Sequence, residues 1–290
     1  MKKKICFIVN PISGVGKQKV IENLASDYLD MEKYDYKIIY TTAPKHAIML
    51  AKKAAEEDYD IVVAMGGDGS VNEVANGLIG TNTALALLPT GSGNGLARHL
   101  KIPLDLKQAM TVINTGKQTQ IDTIQFNDTN FVNIAGIGFD AHISWEFANY
   151  GTRGFSSYLK LSFRELRRYQ TEKYELIFDG KSVFKEAFLI SFANGSQWGN
   201  NAYIAPIADI SDGLMDIAIL NKINWRNGLS IGYHLFNRKL HQTKHLEIIK
   251  AKEVTVKQKR KTAHIDGEPI ESGTLVTIKV NPLSLKIIVP

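Results

Sequence analysis

The chain opens with short apolar runs separated by amphipathic stretches. Ile5–Val9, Ile61–Met65 and Ala84–Leu88 are continuous apolar runs, the pattern of strands buried on both faces. Tyr36–Tyr40 reads as a further strand. Helical patterns lie between them: a segment reaching about Tyr28, then Lys45–Glu57 with Ile48, Leu50, Ala51, Ala54 and Ala55 near one face, a helix ending near Gly77, and Leu106–Thr115. Strands alternating with helices predict a mostly parallel sheet covered on both faces.

Near Ile121-Asp122 the texture changes. Strand-like runs dominate from there: Ile121–Phe126, Phe131–Ala135, Tyr174–Phe178, Val183–Ala193, Leu214–Leu220, Leu246–Val256 and Thr274–Val280. Asp179-Gly180 is a hairpin signal. The expected fold class is therefore an α/β N-terminal domain, residues 1–122, followed by an all-β antiparallel sandwich, residues 123–283. Two helical stretches interrupt the second part. Phe155–Tyr169 places Phe155, Tyr158, Leu159, Phe163 and Leu166 on one side, and Trp225–Leu240 does the same with Trp225, Leu229, Tyr233, Phe236 and Leu240. Such stripes either pack on a sheet or lie on an anionic membrane, and packing is the favoured expectation.

Glycine-rich turns follow three of the apolar runs, after Val9, Met65 and Leu88. Open α/β sheets bind ligands at these strand ends. In Gly66-Gly67-Asp68-Gly69 the glycines let a backbone approach a bulky anion, and a helix N-terminus following the turn favours phosphate. Ser70 with Glu73 predicts a capping box at that helix start. Asp68 does not suit a site that only attracts anions; a carboxylate beside bound phosphates calls for a cation between them, and Mg²⁺ fits. The loop from Asn10 to Lys17 fails as a P-loop, because Pro11 holds the first glycine position and Gln18 follows Lys17. Lys17 could still reach phosphate. The turn Pro89–Gly95 fails as a dinucleotide fingerprint, because position 96 is Leu96.

Composition narrows the setting. At 290 residues and 44% hydrophobic the chain can bury the cores of two domains. No apolar run approaches the length of a membrane span. Basic Met1-Lys2-Lys3-Lys4 precedes too short an apolar run for a signal peptide. A single cysteine, Cys6, excludes a disulfide framework and points to a reducing cytoplasm, and no Cys/His cluster has zinc spacing. The net charge of +6 is uneven: Lys222–Lys261 carries eleven Lys/Arg against Glu247 and Glu253. That region could meet nucleic acid, anionic lipid or a phosphorylated ligand, or be a solvated sheet edge.

Together these segments resemble the catalytic domain of the diacylglycerol kinase family, which includes bacterial diacylglycerol kinases, sphingosine kinases and ceramide kinases. The matching residues run in family order: Asn10-Pro11 with Ser13-Gly14, GGDGSVNEVANGL from Gly66, LPTGSGNGLAR from Leu88, and Asn133 with Gly136–Asp140. Ala193-Asn194-Gly195, Ala205-Pro206, Asp212-Gly213-Leu214 and Ile265-Asp266-Gly267-Glu268 complete the series. NAD kinases and phosphofructokinases share the GGDG turn; the late DGE and PTGSGN do not belong to that turn alone. Ser70 stands where the family usually has Thr.

The resemblance implies an NAD kinase-like N-terminal domain that binds ATP through Asn10, Pro11, Ile12, Ser13, Gly14, Thr41, Gly66, Gly67, Asp68, Gly69, Ser70, Val71, Asn72 and Thr90. It implies that residues 284–290 return to that domain and that the sandwich is the lipid-side domain. The implied activity is an ATP-dependent kinase phosphorylating a diacylglycerol-like or sphingoid lipid at the membrane surface, with peripheral membrane association and no nucleic-acid partner. Asp68 would organise Mg²⁺, with Asp122 joining it. Glu268 would be the general base, with Asp68 the competing candidate and Asp266 the third member of the catalytic set; as a bare motif, DGE is also a hairpin turn with solvated acids. Asp209, Asp212 and the carbonyl of Leu214 match a metal loop of the bacterial enzymes and would suit a second Mg²⁺ or Ca²⁺. His99, His234 and His241 read as structural.

Overall fold

The computed structural model describes residues 2–11, 20–150, 155–223 and 227–290, apart from the side chains of Phe155 and Ser156. The chain divides into two compact units, Met1–Thr123 with Leu283–Pro290, and Ile124–Pro282.

In the first unit the chain runs β1 (Lys3–Val9), α1 (Val20–Tyr28), β2 (Tyr34–Tyr40), α2 (His46–Glu56), β3 (Ile61–Gly66), α3 (Asp68–Leu78), β4 (Ala84–Pro89), α4 (Gly95–His99), α5 (Leu106–Thr115) and the start of β5 (Lys117–Phe126). The sheet is parallel in the order β2-β1-β3-β4, and the C-terminal segment adds a parallel neighbour where Ile287 pairs with Leu85. Every residue of β3 and β4 is buried, as their unbroken apolar runs require of central strands. Right-handed crossovers send α1 to one face and α2 and α3 to the other, because β1→β2 and β2→β3→β4 step in opposite directions. Side-chain contacts agree: the Tyr34 hydroxyl donates to the Ile113 carbonyl, and Asn114 Nδ2 to the Tyr28 carbonyl. Opposite, a Cβ at Gly77 would lie 2.5 Å from the Ile48 carbonyl oxygen, so only glycine lets α3 pack this closely on α2. The reversal of direction makes the gap between β1 and β3 a topological switch point, where such sheets take ligands.

The second unit contains the end of β5, then β6 (Thr129–Phe131), β7 (Ile134–Gly138), α6 (Phe139–Ala148), α7 (Phe155–Leu166), β8 (Glu172–Phe178), β9 (Lys181–Ala187), β10 (Leu189–Ala193), β11 (Met215–Leu220), α8 (Gly228–Phe236), β12 (Leu246–Ala251), β13 (Glu253–Lys257), β14 (Thr262–Ile265), β15 (Glu268–Glu271) and most of β16 (Leu275–Val289). One antiparallel sheet has the order β12-β11-β10-β7-β14-β15. The other joins β9, β8, β13 and β16 antiparallel. Their inner faces form one core, with Leu176, Val254, Val256, Val276 and Ile278 against Ala135, Ile137, Ile190, Phe192 and Ile217. This is the antiparallel sandwich that the strand pattern predicts, as the first unit is the predicted α/β domain with its mostly parallel sheet. The outer face of the six-stranded sheet is covered by helices through Phe139, Ile143, Leu161 and Ile231. Among the described residues no helix is long and apolar enough to cross a membrane.

Several local expectations are corrected. Val183–Ala193 and Leu246–Val256 are each two strands, broken at Phe188 and Lys252 where the chain passes from one sheet to the other; a change of sheet need not interrupt the apolar pattern. Helix α6 was not anticipated, because apolar residues fall on all its sides and leave no stripe. On α8 the expected stripe is turned outward: Ile231 is buried and Leu235 partly so, whereas Leu229, Tyr233 and Phe236 are exposed. Trp225, assigned to that stripe, lies outside the described residues. The hairpin at Asp179-Gly180 forms as expected, both residues taking positive φ (48° and 76°) as a type I′ turn demands.

Candidate active site

The loops that leave β1, β2, β3 and β4 lie at one edge of the parallel sheet. The Asn10 N–H donates to the Met65 carbonyl, the Thr41 N–H to Val9, and the Thr90 N–H to Gly66. Asn10 Nδ2 also reaches Ser70 Oγ at 3.0 Å, linking the loop after β1 to the start of α3 across the switch point. Thr90 is buried, Val71 turns its side chain into the core, and Asn10, Pro11, Thr41, Gly67, Asp68, Gly69, Ser70 and Asn72 are half-buried. Asn72 accepts from Asn76 Nδ2 through both its carbonyl and its side-chain oxygen. Ile12, Ser13 and Gly14, also assigned to the nucleotide, and Lys17, noted as within reach of phosphate, lie outside the described residues.

Helix α3 begins at Asp68 with Gly67 as its cap, and no side chain closes it. The capping box expected of Ser70 and Glu73 is absent: the Glu73 carboxylate accepts the N–H groups of Lys45 and Ala47 at the start of α2. The helix cap falls at Gly67, three residues earlier than the motif suggested, so Glu73 stands a turn too far in to reach back. First-turn N–H groups have no partner within an α-helix, and with the helix dipole they favour an anion at this end.

Asp68 fastens the two glycine turns together. Its Oδ2 accepts the Asn94 N–H at 2.9 Å and its Oδ1 the Gly95 N–H at 2.7 Å. The turns also meet backbone to backbone: a Cβ on Gly91 would lie 2.5 Å from Gly67 Cα. Asn94 takes a left-handed conformation (φ 51°) and anchors its own turn by donating Nδ2 to the Gly91 carbonyl. Sequence reasoning missed Asn94 and Gly95 as partners of Asp68. The available signal was Asn followed by Gly, a pair that tolerates positive φ.

In the second unit, Asp266 and Gly267 form a two-residue hairpin turn, both with positive φ, and Glu268 follows as the first residue of β15. Asp266 is 7% exposed and accepts three consecutive backbone N–H groups, from Val132, Asn133 and Ile134, at 2.9 to 3.1 Å. It is not a solvated acid, and it fastens the turn to the start of β7. Glu268 is exposed, and no hydrogen bond or ion pair holds its carboxylate among the described residues. Behind the turn, Ser144 Oγ donates to the Gly267 carbonyl, while buried Asp140 Oδ2 meets both His264 Nε2 (3.1 Å) and Ser191 Oγ. Gly136 makes room for that cluster, since a Cβ there would stand 2.1 Å from Asp140 Oδ2.

Asp122 is fully buried in the first unit, and its Oδ1 accepts the Leu283 N–H at 2.7 Å. In the acidic loop, Asp209 Oδ1 accepts from the Ser211 N–H and hydroxyl, and Asp212 Oδ1 from the Leu214 N–H. Lys250 Nζ sits 2.7 Å from Asp212 and 3.2 Å from buried Asp216. Lys250 thus brings an amine to the loop assigned to a second metal ion. Burial holds the Asp216 carboxyl above the usual range despite that amine. Among the described residues no three His, Cys, Asp or Glu side chains are grouped to hold a metal.

Comparison with known proteins gives two adjoining matches. Residues 4–126 match the profile described as diacylglycerol kinase catalytic domain, and residues 133–289 the one described as YegS C-terminal NAD kinase beta sandwich-like domain. A diacylglycerol kinase of Bacillus subtilis (strain 168) is 30% identical over 275 residues, covering 92% of this chain and 90% of its own. One from Staphylococcus aureus (strain bovine RF122 / ET3-1) is 30% identical over 278 residues, covering 92% and 87%. The crystal structure of a diacylglycerol kinase from Bacillus anthracis str. Sterne superposes with a TM-score of 0.75 at 21% identity, over 99% of this chain and 97% of that one, a likeness of fold.

Proposed function

The chain belongs to the diacylglycerol kinase family and is an ATP-dependent kinase, and from that premise we propose that it transfers the γ-phosphate of ATP to the free hydroxyl of a diacylglycerol. The observation that carries this reading is the pair of glycine turns closed on each other by Asp68 at the open end of the parallel sheet. Backbone without Cβ atoms, beside the first turn of α3, is suited to a triphosphate. Asn10 to Gly14, Thr41, Gly66 to Asn72 and Thr90 are the proposed nucleotide contacts. The diacylglycerol acceptor is taken from the relatives, which are 30% identical along nearly their whole length.

Phosphoryl transfer needs positioning, charge neutralisation and an acceptor for the hydroxyl proton. The lipid oxygen bonds to the γ-phosphorus, the bond to the bridging oxygen breaks, and ADP leaves. Asp68 is a carboxylate at the glycine turns, positioned by one backbone donor on each of its oxygens. That donor set fits Mg²⁺, which takes one or two carboxylates and fills its remaining positions with water and phosphate. Asp68 would hold the ion, Asp122 would act there through water, and the ion would neutralise phosphate charge. The proton of the acceptor hydroxyl goes to Glu268, which is uncommitted where Asp68 and Asp266 are both bonded.

The test is purified protein with ATP, Mg²⁺ and diacylglycerol in detergent micelles, with lipid products read by mass spectrometry. Phosphatidic acid is the expected product. Phosphate on a sphingoid base in its place would move the acceptor, and phosphate on NAD with none on any lipid would overturn the reading.

A further inference from the structure

Helix α8 shows an apolar face that the fold does not cover. Leu229, Tyr233 and Phe236 are 81%, 62% and 41% exposed, and their spacing of four and three residues puts them on one side. The opposite side is spent, with Ile231 buried and Leu235 packed on the cluster that covers the six-stranded sheet. The charge around this face has one sign. Residues 221–246 hold Lys222, Arg226, Arg238, Lys239 and Lys244 and no Asp or Glu. Lys222, Lys239 and Lys244 are exposed and form no ion pair among the described residues. Arg238, by contrast, is taken up by the ring and hydroxyl of Tyr203.

We propose that this face of α8 docks the protein on an anionic lipid bilayer, with Leu229, Tyr233 and Phe236 entering the interface and Lys222, Lys239 and Lys244 meeting the headgroups. Three side chains on a nine-residue helix are far less than the roughly 20–30 residues a stable protein interface uses on each side. A bilayer asks for less: shallow insertion of a few apolar groups beside basic ones is how interfacial helices bind. Tyr233 suits the headgroup boundary, where an apolar ring with a polar tip is at home. The choice of partner rests on the proposed lipid acceptor; the exposed face itself does not.

Binding is measured by co-sedimentation with vesicles of phosphatidylcholine and phosphatidylglycerol in equal parts, and of phosphatidylcholine alone. The parent should prefer the anionic vesicles and lose that preference as salt screens the lysines. Leu229→Ser with Phe236→Ser should weaken binding on the order of a hundredfold, about tenfold for each apolar side chain withdrawn. Lys239→Glu with Lys244→Glu should abolish the anionic preference. Phe184→Ser, at an exposed aromatic residue on β9, should change nothing. All variants should keep the parental thermal midpoint and the parental rate on diacylglycerol in micelles.

Undiminished vesicle binding by the Leu229/Phe236 variant would overturn the proposal, as would an equal loss in Phe184→Ser. So would a parental dimer that this variant breaks. Parent protein that binds vesicles but phosphorylates no lipid in micelles would sink the proposed reaction and leave the docking face standing.

Discussion

The two halves of the molecule each contain a turn fixed by a carboxylate, and they use it differently. Asp68 reaches across to a neighbouring loop and takes two N–H groups, leaving the glycine backbone and the first turn of α3 to meet a ligand. Asp266 is buried and takes three consecutive N–H groups, and the acid that follows two residues later has no partner among the described residues. In the first turn the fastened acid is also the one proposed to hold Mg²⁺. In the second, fastening and chemistry fall to separate residues. An acid fixed by backbone donors sets geometry, and an acid left uncommitted is available to take a proton.

The largest effect should come from the uncommitted acid. Glu268→Gln should lower kcat by about 10²–10⁴-fold, the range for removing a general base, with the unfolding midpoint unchanged because the side chain is exposed. A variant that loses stability in step with activity would show Glu268 to be structural and collapse the distinction between the two turns. Asp266→Asn should do the converse. Exchanging a buried carboxylate held by three donors for an amide should cost about 2–4 kcal/mol of folding free energy, read as a lower urea midpoint. Any fall in kcat should be smaller than that of Glu268→Gln.

The contrast also explains what could be read in advance. Strands β3 and β4 were legible because burial on both faces writes an unbroken apolar run, and the Asp179-Gly180 hairpin because few residues accept its backbone. GGDG, PTGSGN and DGE were visible as motifs, yet composition does not say which acid is spent on the backbone. Asp266, a catalytic candidate from its motif, is buried and accepts three backbone N–H groups. Glu73 looked like a cap for α3 and serves α2, 26 and 28 residues away along the chain. The outward stripe of α8 shows the same gap: periodicity finds a helix with an apolar side but does not say which side the sheet takes when apolar residues stand on both.

Within the first turn the distinction can be tested through glycine alone. Gly91→Ala places a Cβ 2.5 Å from Gly67 Cα, and neither backbone is free to give way cheaply. The turns must part, stretching the bonds from Asn94 and Gly95 to Asp68. KM for ATP should rise about tenfold, with a stability loss of about 1–3 kcal/mol, the usual cost of overpacking. If Gly91→Ala bound ATP normally, contact between the turns would not be what shapes the nucleotide site.

Side-chain donors offer a gentler version of the same fastening at Glu165 on α7. Its buried carboxylate accepts from Arg164 Nε at 2.9 Å and lies 3.2 Å from His142 Nε2 on α6. The bond from Arg164, then that from His142, hold its carboxyl below the usual glutamate range against the opposing pull of burial. A carboxyl lowered by folding stabilises the native state once the pH is above its unfolded value, and that contribution fades as the pH falls through the lowered folded value. The difference in unfolding free energy between the parent and Glu165→Gln should therefore be largest near neutrality and shrink through the acid limb, measured by urea denaturation at successive pH values. The effect should be the smallest of the four, because Arg164 is half exposed to water and its bond is screened. A difference that grows as the pH falls would mean that burial outweighs the donors, and side-chain fastening would then fail where backbone fastening holds.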